Sequence, residues 1–321
     1  MKEYYNTSLK ALNTFGIDVQ AARMVVLEPC DEVPAIAPPC LVLGAGSDVI
    51  FTGHYKGTIL CLSDVPDVVH LPQCLLSVWG GMRMDDLVAY SLGHGLYGLE
   101  NLSAIPGTVG ASVVQNVGAY GVEAKDVVER VDAFDLEERR AVTFTAAQCR
   151  FAYRTSLFKE QAGRWLVLRV VYRLTDTFVP NLSYKALEGM PHATAFELRK
   201  AISNLRWQKL PRPEEHGSAG SFFKNPVVDK ATCQRIKAEY PDMPEAHAAE
   251  EGYKLSAGWL IDRAGWKGRT MGRAGVWPKN ALVLYNTGGC TGTEVLALAE
   301  AIRHDVLQRF GITLDPEAII V

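Results

Sequence analysis

The sequence lacks the charge imbalance and the long apolar runs that identify several special classes of protein. Its 33 Lys and Arg residues nearly balance its 36 Asp and Glu residues, which leaves a formal net charge of -3. We therefore expect neither nucleic acid nor an anionic membrane surface as a partner. No apolar run approaches the ~18 residues of a membrane span, and the first residues lack the apolar segment of a signal peptide. A cytoplasmic location is expected.

Cysteine and histidine patterns are sparse as well. The seven cysteines are an odd number without a CxxC pair, which argues against a disulfide framework and a structural zinc site. We expect most of them to be small buried apolar side chains. The seven histidines form no HxxxH or HExxH pattern, so no metal site is predicted.

What the chain does have is length and apolar content, with 321 residues of which 48% are hydrophobic, enough for two domains. Between about residues 23 and 175, short apolar runs bounded by Gly, Pro or Asp predict strands. These runs are MVVLE, CLVLG, GTILCLS, LLSVWG, ERVDAFD, AVTFTA and WLVLRVVYRL. A helix is predicted within MDDLVAYSLGHG, because four apolar side chains share one face. They are Met84, Leu87, Val88 and Leu92.

The last third of the chain has a helical pattern. Thr194 and Glu197 form a capping box before AFELRKAISNLRWQKL, which predicts a helix there. Thr291 and Glu294 form a second capping box before the last helix, which Gly311 ends. The buried stripes are predicted as Leu198, Ile202 and Leu205 in the first helix and Val295, Leu298, Ile302 and Val306 in the second. A strand in ITLDPEAIIV closes the chain, and the fold class is α+β.

Two glycine-rich stretches are the most informative part of the first half. In LVLGAGSDVIF, Gly44 and Gly46 allow close backbone approach, so successive N–H groups and the Ser47 hydroxyl could hold phosphate oxygens. The stretch is not a Rossmann fingerprint, because Val49 stands at the sixth position and no helical pattern follows. By itself it is equally consistent with a tight turn. The second stretch, residues 98–121, is longer than any turn requires and suits an extended anionic ligand lying against the main chain.

Six motifs together resemble one family. They are NTFG, LGAGSD, GLENLSAIPGTVGASVVQNVGAYG, CRFAYRTSLFK, GSAGSFFKNPVV and KLSAGWLIDRAGWKG, in this order over nearly the whole chain. The chain resembles the UDP-N-acetylenolpyruvoylglucosamine reductases, flavoenzymes of bacterial peptidoglycan synthesis. The resemblance implies a vanillyl-alcohol-oxidase-type FAD domain of two α+β subdomains over residues 1–199, split near 65–72. It also implies a smaller αβ substrate domain over residues 200–313 and a strand over residues 314–321 that returns to the active site.

The resemblance further implies which residues bind and react. NADPH first reduces non-covalently bound FAD, and the enolpyruvyl ether then takes a hydride at C3 and a proton at C2. Arg154 would contact the substrate carboxylate, Ser221 would donate the proton, and Glu317 would act with the arginine. The predicted cofactor-binding residues are Gly44, Ala45, Gly46, Ser47, Gly107, Gly110, Ala111, Ser112, Asn116, Gly118, Ala119, Tyr120 and Gly121.

The UDP part of the substrate is assigned in the same way. The resemblance implies Tyr184, Arg206, Lys209, Asn225, Lys267 and Asn280 as substrate-binding residues, and Tyr184 implies the subgroup with an extra tyrosine loop. Arg206 and Lys209 also lie three residues apart on one predicted helix. Together they could present two positive charges to one diphosphate, or they could belong to a solvated helix end.

Two positions depart from the family pattern. Asp48 stands where the family usually has Asn, and Ile319 stands where it often has Arg. A carboxylate near a pyrophosphate would repel it unless it is turned away or paired. The alternative function is therefore a non-catalytic flavin or UDP-sugar binding protein on the same fold. For either function the expected partner is a small UDP-sugar, and the protein is expected to be a monomer.

Overall fold

The computed structural model of the chain describes residues 1–212, 215–249 and 252–321. Its first strands are β1 Lys2–Ser8, β2 Gln20–Leu27, β3 Cys40–Val42, β4 Val49–Ile50, β5 Tyr55–Leu62, β6 Val68–Leu71, β7 Leu75–Trp79, β8 Gly118–Ala119, β9 Val122–Glu123, β10 Val128–Asp135, β11 Arg140–Thr145 and β12 Trp165–Arg173. The later strands are β13 Ser218–Ser221, β14 Val227–Val228, β15 His247–Ala249, β16 Gly252–Lys254, β17 Thr270–Met271, β18 Ala274–Val276, β19 Val283–Asn286 and β20 Ile319–Ile320. The α-helices are α1 Met84–Gly93, α2 Val109–Val114, α3 Leu157–Glu160, α4 Ala195–Lys209, α5 Lys230–Glu239, α6 Ala257–Arg263 and α7 Gly292–Phe310. The predicted α+β class is confirmed.

The chain forms two compact units. Unit 1 comprises Met1–Thr7, Ala21–Gly46 and Tyr55–Arg206, and unit 2 comprises Ser8–Gln20, Ser47–His54 and Trp207–Val321. These units differ from the predicted domain boundaries, because two short segments from the first fifty-four residues belong to unit 2. The predicted binding domains, with boundaries near residues 199 and 313, remain a prediction.

Unit 1 contains two larger sheets, besides the two-stranded sheet of β8 and β9. The first has the strand order β1-β2-β5-β3, and β5 pairs in parallel with β2 and with β3. The second has the order β11-β10-β12-β7-β6, and every neighbouring pair is antiparallel. The chain passes from the first sheet to the second between Leu62 and Val68. Most of the strands predicted from apolar runs are therefore found here.

Helices α1 and α2 share one apolar core with the second sheet. The predicted stripe of α1 is confirmed, since Met84, Leu87, Val88 and Leu92 are all buried in that core. The predicted stripe of α4 is buried as well. At its start, Thr194 Oγ1 accepts from Glu197 N at 3.2 Å, whereas the Glu197 carboxylate accepts from Ala193 N, one residue earlier than predicted.

Unit 2 contains a sheet of order β13-β19-β18-β17 and a smaller one of order β14-β16-β15. The second capping box is confirmed, with Thr291 and Glu294 each accepting from the other's backbone N–H, and Gly311 ends α7 in a left-handed conformation with φ 69°. The four predicted stripe residues of α7 are fully buried. Burial of each such aliphatic side chain contributes about 1.5–3 kcal/mol to folding, so this helix is anchored mainly by packing.

Two local predictions are wrong. The terminal strand is shorter than the predicted ten residues: Pro316 forms only an isolated bridge with Phe223, and β20 comprises Ile319 and Ile320, which pair with β4. Most cysteines are not buried: only Cys149 and Cys290 are, and none of the seven forms a disulfide. Several lie where the fold leaves them accessible, for example Cys40 on the edge strand β3. In the described parts of the chain, no helix is long and apolar enough to cross a membrane.

Candidate active site

The two predicted cofactor stretches meet within unit 1. A Cβ atom added to Gly44 would lie 2.9 Å from Thr108 Oγ1 and 3.1 Å from the Ala111 side chain, so only glycine allows this close approach. Gly46 and Gly107 both have left-handed backbones, with φ 62° and 140°. The first stretch and the start of the second therefore approach each other closely at Gly44.

The second stretch is not the continuous connection that the sequence predicted. It contains α2, and Thr108 caps this helix by accepting from Ala111 N at 3.3 Å. Gly110 faces the second sheet, because a Cβ atom there would lie 3.1 Å from Gly80 O and 3.2 Å from Val167 O. The glycine thus serves the packing of the helix on the sheet.

Ser112 also has its partners inside the protein. Its hydroxyl donates to Val109 O at 2.7 Å and lies 3.3 Å from the Tyr172 hydroxyl, and burial raises the pKa of Tyr172. Ala111 and Ser112 are thus parts of α2. Any contact they make with a cofactor has to use the outer surface of that helix.

The end of the second stretch forms a small hairpin. Gly118 pairs with Glu123 and Ala119 with Val122, which leaves Tyr120 and Gly121 as the two turn residues. Both have positive φ, 50° and 86°, as a two-residue hairpin turn of this hand requires. A Cβ atom at Gly121 would lie 2.3 Å from Ser183 Oγ, so the position has no room for a side chain.

The hairpin presents Tyr120 to the segment that carries Tyr184. The two rings meet edge to face, with centroids 5.3 Å apart, and Tyr184 is 45% exposed. Burial raises the pKa of Tyr120. Asn101, only 2% exposed, holds both segments, since its Nδ2 donates to Tyr120 O at 2.7 Å and to Asn181 O at 2.9 Å. This arrangement joins a predicted cofactor residue to a predicted substrate residue.

Arg154 is at the tip of a tight turn beside the same hairpin. Ala152 and Thr155 exchange backbone hydrogen bonds of 3.1 and 3.2 Å around it, and Arg154 has φ 57°. A left-handed conformation is strained for a residue with a long side chain, typically by about 1–3 kcal/mol. Arg154 Nη2 donates to Gly118 O at 3.3 Å, which directs the guanidinium toward the hairpin.

Arg206 and Lys209 have different surroundings although both belong to α4. Arg206 is partly buried, and its Nε donates to Ala104 O at 3.1 Å. Burial lowers the pKa of Arg206. Lys209, the last residue of the helix, is exposed. The prediction that both present their charges to one diphosphate remains a prediction.

Ser221 and Glu317 are neighbours within unit 2. Ser221 ends β13 opposite Val283, after a bulge in which Gly220 has φ 69°. Bulges of this kind change the direction of the side chains that follow them. The residue after Ser221, Phe222, accepts from Glu317 N through its carbonyl oxygen at 2.8 Å. Two predicted catalytic residues that are far apart in the sequence are thereby brought together.

The chain end also brings Ser47 and Asp48 near this pair. Ile319 N donates to Asp48 O at 2.9 Å, and β20 runs parallel to β4, which begins at the next residue. Ile319, the second departure from the family pattern, is therefore held by strand pairing, and its side chain is 41% exposed.

Of the three other predicted substrate residues, Asn225 and Asn280 lie next to the first residues of α6. Asn225 Oδ1 accepts from Ala257 N at 3.0 Å, and Asn280 Oδ1 is 3.9 Å from a Cβ atom added to Gly258. Lys267 lies past the other end of this helix, where it forms an exposed ion pair with Asp262 at 3.1 Å. The structure thus brings the asparagines together but not the lysine.

The chain resembles known proteins over nearly its whole length. Residues 212–321 match the family model "UDP-N-acetylenolpyruvoylglucosamine reductase, C-terminal domain", and residues 37–141 match "FAD binding domain". The chain is 44% identical to the UDP-N-acetylenolpyruvoylglucosamine reductase of Pseudomonas aeruginosa, covering 97% of this chain and 96% of that protein. It is 41% identical to the Azoarcus reductase of the same name, covering 98% and 97%.

The chain belongs to the UDP-N-acetylenolpyruvoylglucosamine reductase family. A solved structure of the reductase from Thermus caldophilus has the same fold, with a TM-score of 0.70 at 22% identity over 99% of this chain and 98% of that one. The recognition made from the six motifs is confirmed at the level of the family.

Sequence reasoning missed residues of this reductase that organise the site. Asn101 lies within a motif that carried the resemblance, yet its partners Tyr120 and Asn181 come from distant segments and leave no local signal. Glu123 lies just after the same motif and accepts from Asn116, seven residues earlier. Thr108 could have been found, because Thr before an apolar run is a common N-cap.

Proposed function

We propose that the protein catalyses the NADPH-dependent, FAD-mediated reduction of UDP-N-acetylglucosamine enolpyruvate to UDP-N-acetylmuramate in peptidoglycan synthesis. The observation that carries the proposal is the pairing of Phe222 O with Glu317 N, which sets Ser221 beside Glu317 in a member of this family. Protonation of a strongly basic carbon requires a proton donor that is held in place.

The residues present in unit 1 fit FAD. Gly44 has no room for a Cβ atom beside Thr108 and Ala111, and Gly46 and Gly107 have positive φ, so the main chain of the two stretches comes close together there. Closely spaced main-chain groups of this kind suit phosphate oxygens. We assign the pyrophosphate and ribityl chain to the predicted cofactor residues of the two stretches. When bound, FAD supplies the hydride that it has received from NADPH.

The chain's own catalytic residues then have defined tasks. Hydride arrival at C3 leaves negative charge on C2 and on the substrate carboxylate. Arg154 binds this carboxylate, because its planar guanidinium can make two parallel hydrogen bonds to the two oxygens. Ser221 donates the proton to C2, a role that an alcohol can fill only because the carbon is strongly basic. Glu317 acts in the same step with the arginine.

The substrate nucleotide is assigned to six residues. Tyr184 would contact the diphosphate, and Arg206 and Lys209 would supply positive charge to it. Asn225 and Asn280 are supported by their common position at the start of α6. Lys267 is the weakest member, since it already forms an ion pair with Asp262. The extra tyrosine loop, the monomeric state and the cytoplasmic location belong to this proposal as well.

The experiment is a turnover assay on the purified protein loaded with FAD. We expect a yellow protein that oxidises more NADPH than is needed to reduce its flavin only when the enolpyruvyl substrate is present, and a product that carries two additional hydrogen atoms. A protein that binds FAD and the UDP-sugar without turnover would instead support the alternative of a non-catalytic binder. A protein that binds no FAD would contradict both.

A further inference from the structure

Asn116 is a buried asparagine whose amide is fully engaged by the protein. It is 0% exposed and has φ 44°, a left-handed conformation that asparagine tolerates better than most residues. Its Nδ2 donates to Glu123 Oε2 at 2.9 Å and to Ala152 O at 3.0 Å. Its Oδ1 accepts from Lys125 N at 3.1 Å. Both donors and the acceptor of the side chain are therefore engaged.

One of these three bonds reaches the turn that carries Arg154. Ala152 is the first residue of that turn and exchanges backbone hydrogen bonds with Thr155. Beyond the turn, Ser156 Oγ donates to Val114 O at 2.8 Å, at the end of α2. The turn is thus attached at both of its ends to residues 114–116 of the second glycine stretch.

Attachment at both ends is what a strained turn needs. Arg154 persists in a left-handed conformation only if its surroundings fix the backbone more strongly than the strain opposes it. The Ser156 bond fixes the far side of the turn, and the Asn116 bond fixes the near side. Without the latter, the Ala152 carbonyl would lose its side-chain donor and the guanidinium would lose its fixed direction toward Gly118.

We propose that Asn116 is a positioning residue that sets the place of Arg154, and that its side chain does not contact the cofactor. This inference rests on the proposed function, which gives Arg154 its task at the substrate carboxylate. Asn116, a predicted cofactor residue, thereby acts on the substrate step, by fixing the turn that begins at Ala152 and carries Arg154.

The experiment uses the FAD-loaded enzyme and the isosteric variant Asn116→Asp. The carboxylate can still accept from Lys125 N, but it cannot donate to Ala152 O and it faces Glu123. We expect normal flavin content and a normal rate of flavin reduction by NADPH. The KM for the enolpyruvyl substrate should rise about tenfold, because a displaced binding group loses its alignment.

Two further variants separate this effect from a general loss of stability. Glu123→Gln in the Asn116→Asp background restores a hydrogen-bond partner at residue 123 but not the bond to Ala152 O, so it should leave KM raised. Asn13→Asp is the matched control. Asn13 is also buried, and its side chain makes three hydrogen bonds to Leu9 and Ile17 within unit 2. It should lower the melting temperature without changing KM.

Several results would overturn the inference. They are a wild-type KM in Asn116→Asp, complete restoration of KM by Glu123→Gln, or loss of flavin with an equal decline of both half-reactions. If Asn116→Asp does not fold, Asn116→Gly, which keeps the left-handed conformation, is measured in its place with the same expectation. A wild-type enzyme that takes up FAD but never reduces the substrate would instead overturn the proposed function, and the inference with it.

Discussion

In unit 1 three left-handed positions around the predicted site are occupied by side chains other than glycine, besides Gly46, Gly107 and Gly121, whereas the left-handed position beside Ser221 in unit 2 is a glycine. Arg154, Asn116 and Tyr120 have φ between 44° and 57°. Beside Ser221, the left-handed residue is Gly220, and Ser221 itself does not have a positive φ. Glycine adopts this conformation at no steric cost, while the other three residues do not.

The difference shows two ways in which the backbone orients a functional side chain. Unit 2 uses a glycine bulge beside Ser221 and main-chain pairing of Glu317 N with Phe222 O. Unit 1 has left-handed backbones at Arg154 and Asn116 and holds them with partly buried hydrogen bonds. Substitutions of the catalytic residues in unit 2 should therefore change activity without changing stability. Substitutions of the left-handed residues in unit 1 should change both.

The largest effect that would test this contrast is expected for Ser221→Ala. Removal of one hydroxyl leaves the main-chain pairing intact, so the melting temperature should not change. NADPH should still bleach the flavin, but reoxidation by the enolpyruvyl substrate should slow by about 10²- to 10⁴-fold, the usual contribution of a positioned proton donor. Anaerobic stopped-flow absorbance measures both steps. Normal reoxidation would remove Ser221 from the mechanism.

In unit 1 we expect a smaller loss of activity, together with a stability that depends on which residue replaces Arg154. Arg154→Gly and Arg154→Ala should both lower the rate of reoxidation by about 100-fold, because each removes the cation from the substrate carboxylate. Glycine relieves the left-handed strain and alanine does not, so the glycine variant should be more stable by about 1 kcal/mol. Thermal unfolding of the two variants measures the difference. Equal stability would mean that the turn is not strained.

The reverse substitution tests the glycine of unit 2. A Cβ atom at Gly220 would meet nothing within 4 Å, so Gly220→Ala adds only backbone strain, about 1–2 kcal/mol. Gly53 is the matched control, since it also has open space around a Cβ atom but no positive φ. Gly220→Ala should lower the melting temperature and Gly53→Ala should not. Equal melting temperatures would show that the bulge adapts without strain.

The smallest effect concerns the exposed cap of α7. Hydrogen bonds from the Thr291 backbone and hydroxyl and from Arg273 lower the pKa of Glu294 to about 2. A carboxyl whose folded pKa lies below its unfolded value stabilises the fold above the unfolded pKa and loses this effect as pH falls. Wild type should therefore exceed Glu294→Gln in melting temperature above about pH 5 and approach it as the pH falls toward 2. A pH-independent difference would contradict the cap.

The regular elements were predictable where periodicity extends over several turns. The stripes of α1, α4 and α7 and the cap at Thr291 follow from local sequence. Helix α2 was not predictable, because its six residues, which begin with Val and Gly, give too short a pattern. The roles of Gly110 and Asn116 were also hidden, since the close approach to Gly80 and the bond to Ala152 depend on contacts between distant segments.

The most direct test of the proposed reductase is an anaerobic absorbance experiment on the wild-type protein. NADPH is added first, and the enolpyruvyl UDP-sugar is added after NADPH has been consumed. We predict that the flavin band disappears in the first step and returns in the second, in proportion to the substrate added. A flavin that NADPH bleaches but the substrate does not restore would contradict the assignment.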